Sequence, residues 1–420
     1  MKRYIALIVA IGLLIIAIVS IQQTKTKETK PKPTTITLMH GWGGANQDDI
    51  KMREIYNDFE KKYPQYKVIL ETYPSANLAL ERAQQMLAAG RMPDIINTSG
   101  STSYLRNAIQ LNMALDLMPY LQRDEDFLHD VNPQVLENWK TNGALFTIPD
   151  EIEVIGYWYN SQIFSKAGLT EDGSPFSNAL VPPTWNEFFK ICDRLESYIK
   201  ENNLYSTCLS VYDEHAFESL AGAYICDNKD YLLYKNFNSY KPSDEAITHA
   251  VSFLKKLEKY TQELMNFNAT DAIYNFSNGS TAMLIGSASL SSQLNDSSFK
   301  NDILFAPFPS NTGKPLSYVS AGSGYMIGNN TSEDKKKAAV QFIKYMVSDE
   351  VQKRILTQTQ HMPQNPNLDL AQFISSNTLF HMAWKNADSA SVHLPTVQTN
   401  WTTKELLELK SQINNCITND

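Results

Sequence analysis

Two periods of apolar residues alternate along the first third of the chain. TITLMHGW sets Ile36, Leu38 and His40 against Thr35, Thr37 and Met39, the twofold rhythm of a strand, and runs into the turn residues of GWGG. DDIKMREIYNDFEKKYP places Ile50, Arg53, Ile55, Tyr56 and Phe59 close to helical spacing, and Pro64 stops it. YKVILETY predicts a second strand. LALERAQQMLAAG predicts a helix closed by Gly90, the residue type that tolerates the left-handed position after a helix. MPDIINTSG predicts a third, short strand. A β-α-β-α-β order predicts a mostly parallel sheet with helices on its faces.

The pattern returns further on. PPTWNEFFKICDRLESYI predicts a helix with Thr184 as N-cap and Glu187 three residues later, a capping box. STAMLIGSAS, ILFAPFP and AGSGYMIG predict strands. TSEDKKKAAVQFIKYMVSDEVQKRIL predicts one long amphipathic helix, or two divided near Ser348 and Asp349. No repeat of fixed period is visible. Open α/β sheets bind ligands beyond the carboxyl ends of their strands, where GWGG, NTSGS, GSAS and the small residues around 322–324 fall.

The amino terminus is a different kind of sequence. Lys2 and Arg3 precede IALIVAIGLLIIAIVSI, uncharged over residues 5–21, the short limit of a membrane span and slightly beyond a usual signal core. Cutting after Ser20 leaves Ile18 at −3, and cutting after Ala17 leaves Ile15, so an uncleaved anchor is expected and a removed signal is the alternative. Residues 22–35 are polar, Lys-rich and punctuated by proline, a solvated tether. Lysines after the span run against the positive-inside trend. Large carboxyl-terminal domains still translocate, and the body is placed outside the membrane.

Net charge is −8 with no basic stripe, so nucleic acid is not an expected partner. Four cysteines (Cys192, Cys208, Cys226, Cys416) form no CxxC. A Cys208–Cys226 bridge and buried free thiols are both open. The seven histidines lack metal-ligand spacing, no metal or cofactor is expected, and GxSxG, HExxH and SxxK are absent. Asp150 and Glu151 are adjacent, so on an extended strand they point to opposite sides. A glycosidase needs two carboxylates flanking one bond, roughly 5–9 Å apart. An enzyme is therefore not expected.

The chain resembles the family-1, maltose-binding-like solute-binding proteins of ABC sugar importers. The resemblance lies in the order of ITLMHGWGG, DFEKKYPQYKV, AAGRMPDII, LDLMPYL, ALFTIPDEIEVIGYWYNSQIFSKAGL, PPTWNEF and FSNGSTAMLIGSAS, spread over most of the chain after the tether. It implies a periplasmic-binding-protein-like (type II) α/β fold: two discontinuous lobes joined by a hinge, with the ligand cleft between them. Three chain crossings are implied, at Pro149, at PFPSNTG and after Met346. The expected division is a signal or anchor helix over 1–22, a tether over 23–34, one lobe from 35–148 plus 308–355, and another from 149–307 plus 356–420. The chain departs from the family in lacking the lipid-carrying cysteine after the signal, which the span would replace. Ser287–Ala288–Ser289 also stands where a Tyr or Trp is frequent. The resemblance implies a monomer that captures a mono- or oligosaccharide and delivers it to permease subunits. A receptor for a membrane histidine kinase, or a binder of a non-sugar solute, is the alternative.

Each candidate ligand residue carries a structural reading beside the functional one. Trp42 and Gly43 at the end of the first strand offer a ring to a pyranose face, or a cap on the sheet. Asp150 or Glu151 accepts sugar hydroxyls, or forms a salt bridge between lobes. Glu153 is expected to face solvent. Tyr157 and Tyr159 share a strand face opposite Trp158. Tyr159 and Asn160 read as structural, and Tyr157 or Trp158 as nearer the cleft. Trp185 reads as packing. Glu214 and His215 open a helix, where polar ligands are held well, or simply cap it. Ser99, Ser287, Ser289, Ser323, Gly324 and Tyr325 are small or hydroxylic groups at strand ends, or ordinary loop residues. Trp401 matches a Pro…Trp segment of the family and is a second candidate ring, or docks a helix.

Overall fold

The computed structural model describes residues 32–98, 102–133, 136, 139–169, 181–204, 207–212, 214–227, 244–261, 268–313, 316–321, 324–388 and 392–394, with 407–408, 411–412 and 415. The first 31 residues, with the predicted anchor and most of the tether, lie outside them. Among the described residues no helix is long and apolar enough to cross a membrane.

The first sheet forms where the sequence predicts it. Strand β1 (Thr34–His40) pairs in parallel with β2 (Tyr66–Thr72) along its whole length and with β3 (Ile95–Asn97) at Leu38 and Met39. Helix α1 (Gln47–Lys62) joins the first two strands. Asn46 caps it by accepting from the Asp49 amide at 2.8 Å, and acids in its first turn and lysines in its last complement the helix dipole. It buries Met52, Ile55, Tyr56 and Phe59 against Ile36, Leu38, Phe342 and Tyr345. Helix α2 (Ala76–Ala88) ends before Gly90, whose φ of +68° is the left-handed position predicted for it.

The second sheet is organised by β4 (Glu151–Asn160). Along β4 run β5 (Thr281–Ser287), β6 (Ile303–Ala306) and β7 (Leu316–Ala321), all antiparallel to it. Ile155, Tyr157 and Tyr159 enter one core, while Val154 and Trp158 enter another on the opposite face. Helix α3 (Trp185–Glu201) begins at the Thr184 cap, with the Glu187 amide donating to its hydroxyl at 3.3 Å. Trp185 packs on Phe253 in the first of these cores, the structural role expected of it.

Among the described residues the chain passes between the two large sheets three times. The Ile148–Pro149 strand belongs to the first sheet and β4 to the second, so the first crossing is at Asp150. The second lies between β7 and β8 (Gly324–Ile327), which pairs back to Asn97–Ile95. This corrects the boundary expected at 307/308. PFPSNTG carries turn residues but stays with the second lobe: the Ser310 amide donates to Pro183 O at 3.1 Å, and β7 then pairs with residues 152–155. The third crossing follows α4 (Glu333–Val347) and α5 (Asp349–Thr359), which divide at Ser348, as one of the two helical readings predicts. Ile355 packs in the first lobe and Leu356 in the second. Gln360 is left-handed (φ +56°), and β9 (Met362–Pro363) then pairs with Ile152 and Glu151.

Candidate functional site

The end of β1 is held by its own polar groups. The buried His40 ring accepts from the Trp42 amide at Nδ1 (3.1 Å), so Nε2 carries the hydrogen and donates to Thr72 Oγ1 at 3.0 Å. Burial, and then the nearby Arg53 charge, lower the His40 pKa to about 4, which keeps the ring neutral for this role. Arg53 donates to the carbonyls of Trp42 and Gly44, and the Gly44 amide donates to Asp49 Oδ2. At Gly43 an added Cβ would stand 2.2 Å from Tyr73 O, so only glycine lets the turn pass the neighbouring chain. The Trp42 backbone is thereby fixed, and its half-buried ring is tilted against the imidazole of His361 at a centroid distance of 5.6 Å.

His361 stands at the third crossing. Its Nδ1 lies 2.5 Å from Glu151 Oε2, and its Nε2 lies 3.9 Å from Asp48 Oδ2 in the first turn of α1. Burial opposes a charged ring here. The Glu151 charge, in close ion-pair contact, and then Asp48 and Glu153 outweigh burial and raise the pKa to about 9. The ring is an imidazolium at neutral pH. Asp48 is itself raised, by burial first, with His361 pulling the other way.

Asp150 is interior. Tyr325 Oη donates to its Oδ2, Tyr325 and Tyr56 hydroxyls are 2.9 Å apart, and Asn97 Nδ2 donates to Tyr56 at 3.4 Å. Gln352 Nε2 donates to the Asp150 carbonyl at 2.6 Å. Asp150 Oδ1 is buried with no hydrogen-bond partner among the described residues. Burial, and then the Glu151 charge, push this carboxyl well above the usual carboxylate range. The carboxyl is sealed at the first crossing.

The sequence profile of bacterial extracellular solute-binding proteins matches residues 54–382. The chain belongs to that family. It is 23% identical over 360 residues to the multiple sugar-binding protein of Streptococcus mutans, covering 83% of this chain and 80% of the relative. Among solved structures, a Streptococcus pneumoniae solute-binding protein in complex with the blood group A-trisaccharide superposes with a TM-score of 0.71 at 20% identity, covering 91% of this chain and 100% of that one. A chitin oligosaccharide binding protein superposes with a TM-score of 0.74 at 20% identity, covering 92% and 94%. The fold is the two-lobed type II binding-protein fold, and the family is one of solute-binding proteins, not of enzymes.

In this solute-binding protein Trp42 and Glu151 both meet His361 where the lobes join, and Gly43 packs against Tyr73 beside Trp42. Tyr325 and Asp150 lie beneath them in the buried network. Gly324 packs there too, and its carbonyl accepts from the Thr98 amide at 2.6 Å and hydroxyl at 3.0 Å. Tyr157 and Trp158 are corrections: at 1% and 0% exposure both are core residues. The sequence predicts one face of their strand near the cleft, but the second sheet is covered on both faces. Trp158 Nε1 instead donates to Ser287 O at 2.9 Å. Asp150 is likewise buried, and only Glu151 of that pair is partly open. Glu153, expected to face solvent, is half-buried. Ser287 is nearly buried and Ser289 half-buried, with hydroxyls 2.5 Å apart at the end of β5. Glu214 and His215 do open a helix (Glu214–Asp227), with side chains outside the description. Ser99, Ser323 and Trp401 lie outside the described residues.

Sequence reasoning missed Asp48 and His361. Asp48 looks like an ordinary first-turn acid, and nothing in QHMPQ marks His361 beyond the proline after it. Among the described residues no cluster has the makings of a metal site, and Cys192 and Cys208 are buried free thiols.

Proposed function

We propose that this solute-binding protein captures an oligosaccharide between its lobes and delivers it to the permease of an ABC importer. The observation that carries this is the half-buried indole of Trp42 beside Glu151 and Asp48 at the lobe junction. A ring stacks on a pyranose face at about 0.5–1.5 kcal/mol beyond burial. A carboxylate takes neighbouring hydroxyls in charge-assisted hydrogen bonds. The sugar-binding names of the S. mutans relative and of the trisaccharide and chitin-oligosaccharide binders support the same ligand class. A solute touching both lobes favours the closed form, and the closed form is what a permease can distinguish.

The finer elements of the proposal follow the sequence. Residues 1–22 anchor the protein, and the polar stretch to about residue 34 spaces a monomeric body from the outer membrane face. The lobes are 35–149 with 324–355, and 151–321 with the chain from 356 on. Thermal shift across mono- and oligosaccharides tests the ligand class. Free sugar at a hundredfold over Kd stabilises the fold by about 2.7 kcal/mol. A panel in which no sugar moves the melting temperature would count against it.

A further inference from the structure

We propose that His361 is a positioning residue of the solute site, fixing the Glu151 carboxylate and the Trp42 ring from the third crossing. The proposal rests on the solute-binding reading of that junction. Its partners come from three separate elements: Trp42 from the end of β1, Asp48 from the first turn of α1, Glu151 from the start of β4. Arg53 and Asp49 tie the Trp42 turn to the start of α1, but Glu151 lies on the other side of the first crossing, and His361 is the side chain that reaches Trp42, Asp48 and Glu151 together.

The backbone on both sides of His361 is anchored. Before it, Gln360 turns left-handed and the His361 amide donates to Thr359 Oγ1 at 3.3 Å. After it, Met362 and Pro363 pair with Ile152 and Glu151. The Gln364 and Asn365 amides donate to Gln352 Oε1 at 2.9 and 3.2 Å. Gln364 Nε2 donates to Asp130 O at 2.9 Å, and its Oε1 accepts from the Asn132 amide at 3.0 Å. The backbone that carries the imidazole is therefore held on both sides.

The titratable groups facing the ring are Glu151 and Glu153 from β4, Asp48 from α1 and Asp150 at the first crossing. Asp150 is held toward its neutral form, so the imidazolium stands among three acids. Remove its charge and Glu151 and Asp48 repel each other with no cation between them, and the Trp42 ring loses the neighbour that it tilts against.

The test uses the full chain and three probe sugars: maltose, raffinose and chitotriose. For any probe that binds wild type, affinity should be constant from pH 6 to 8 and fall between pH 8 and 10. His361→Gln should bind at least tenfold more weakly at pH 7, with a flat pH profile, and His361→Lys should recover part of the loss. In sugar-free protein, the His361 ring should titrate near pH 9 by NMR. The Trp42 indole resonance, assigned with Trp42→Phe, should follow that titration in wild type and not in His361→Gln. An ordinary His361 pKa near 6.5, an indole signal blind to its titration, or wild-type sugar affinity in His361→Gln overturns the proposal. If no probe binds, the carbohydrate reading is what suffers, and the sugar-free titration still decides the role of His361.

Discussion

Replacing Gln352 by methionine removes one buried amide and nothing of comparable volume. That side chain is fully enclosed and makes four hydrogen bonds. It donates to Asp150 O (2.6 Å) and Met346 O (2.9 Å) and accepts from the Gln364 (2.9 Å) and Asn365 (3.2 Å) amides. The first and third crossings are thus tied to one residue of α5. A thioether of similar length fills the space, so the cavity term is small. The cost is four main-chain groups left buried without partners. At roughly 1 kcal/mol or more for each, the loss is about 4 kcal/mol. That is a large share of a stability of roughly 5–15 kcal/mol. For a lobe of this size it lowers the melting temperature by about 10 °C, at about 2–4 °C per kcal/mol. Calorimetry and urea unfolding followed by tryptophan fluorescence read it directly. A drop under about 2 °C would mean that the clasp is not what holds the crossings.

Stability should fall as pH rises from about 6.5 through 9. His361 binds its proton more tightly folded than unfolded, so its contribution is complete below its ordinary value near 6.5 and is lost through about 9. The buried Asp150, also raised, acts in the same direction, since the fold opposes its ionisation. A melting temperature that is flat or rising over that window contradicts both pairings. Tyr157→Phe should be neutral or stabilising by about 1 kcal/mol, because the buried Tyr157 hydroxyl has no hydrogen-bond partner among the described residues; a clear loss in urea unfolding would show a partner there. Cys192 and Cys208 should resist a thiol reagent in native protein and react on unfolding, both being enclosed in one core. Rapid native labelling at either position would refute that placement.

Local chemistry was the legible part of this fold. The Thr184 cap, the left-handed Gly90 and the break at Ser348 each depend on a few neighbouring residues, and their signals are local. The alternation of β4 was legible too, since a period of two fixes which side chains share a face. What covers each face was not, and Tyr157 and Trp158 were misplaced for that reason. The resemblance put the second crossing at PFPSNTG, but a resemblance in motif order does not say to which sheet the next strand pairs, and residues 316–321 pair with β4 first. Asp48, Glu151 and His361 meet across more than three hundred residues of sequence, and no periodicity carries such a contact. Trp42 and Glu151 could be named as candidates from the sequence because each stands beside a strand end, where α/β sheets present their ligands.

Calorimetric titration of the best-binding oligosaccharide into wild type and Trp42→Ala bears most directly on the central claim. The indole is half-buried and its backbone is clamped by Arg53 and His40, so its loss should weaken binding tenfold or more, about 1.4 kcal/mol. The fold should survive with a melting temperature within a few degrees of wild type. The same Kd in both proteins would place the solute somewhere other than this junction.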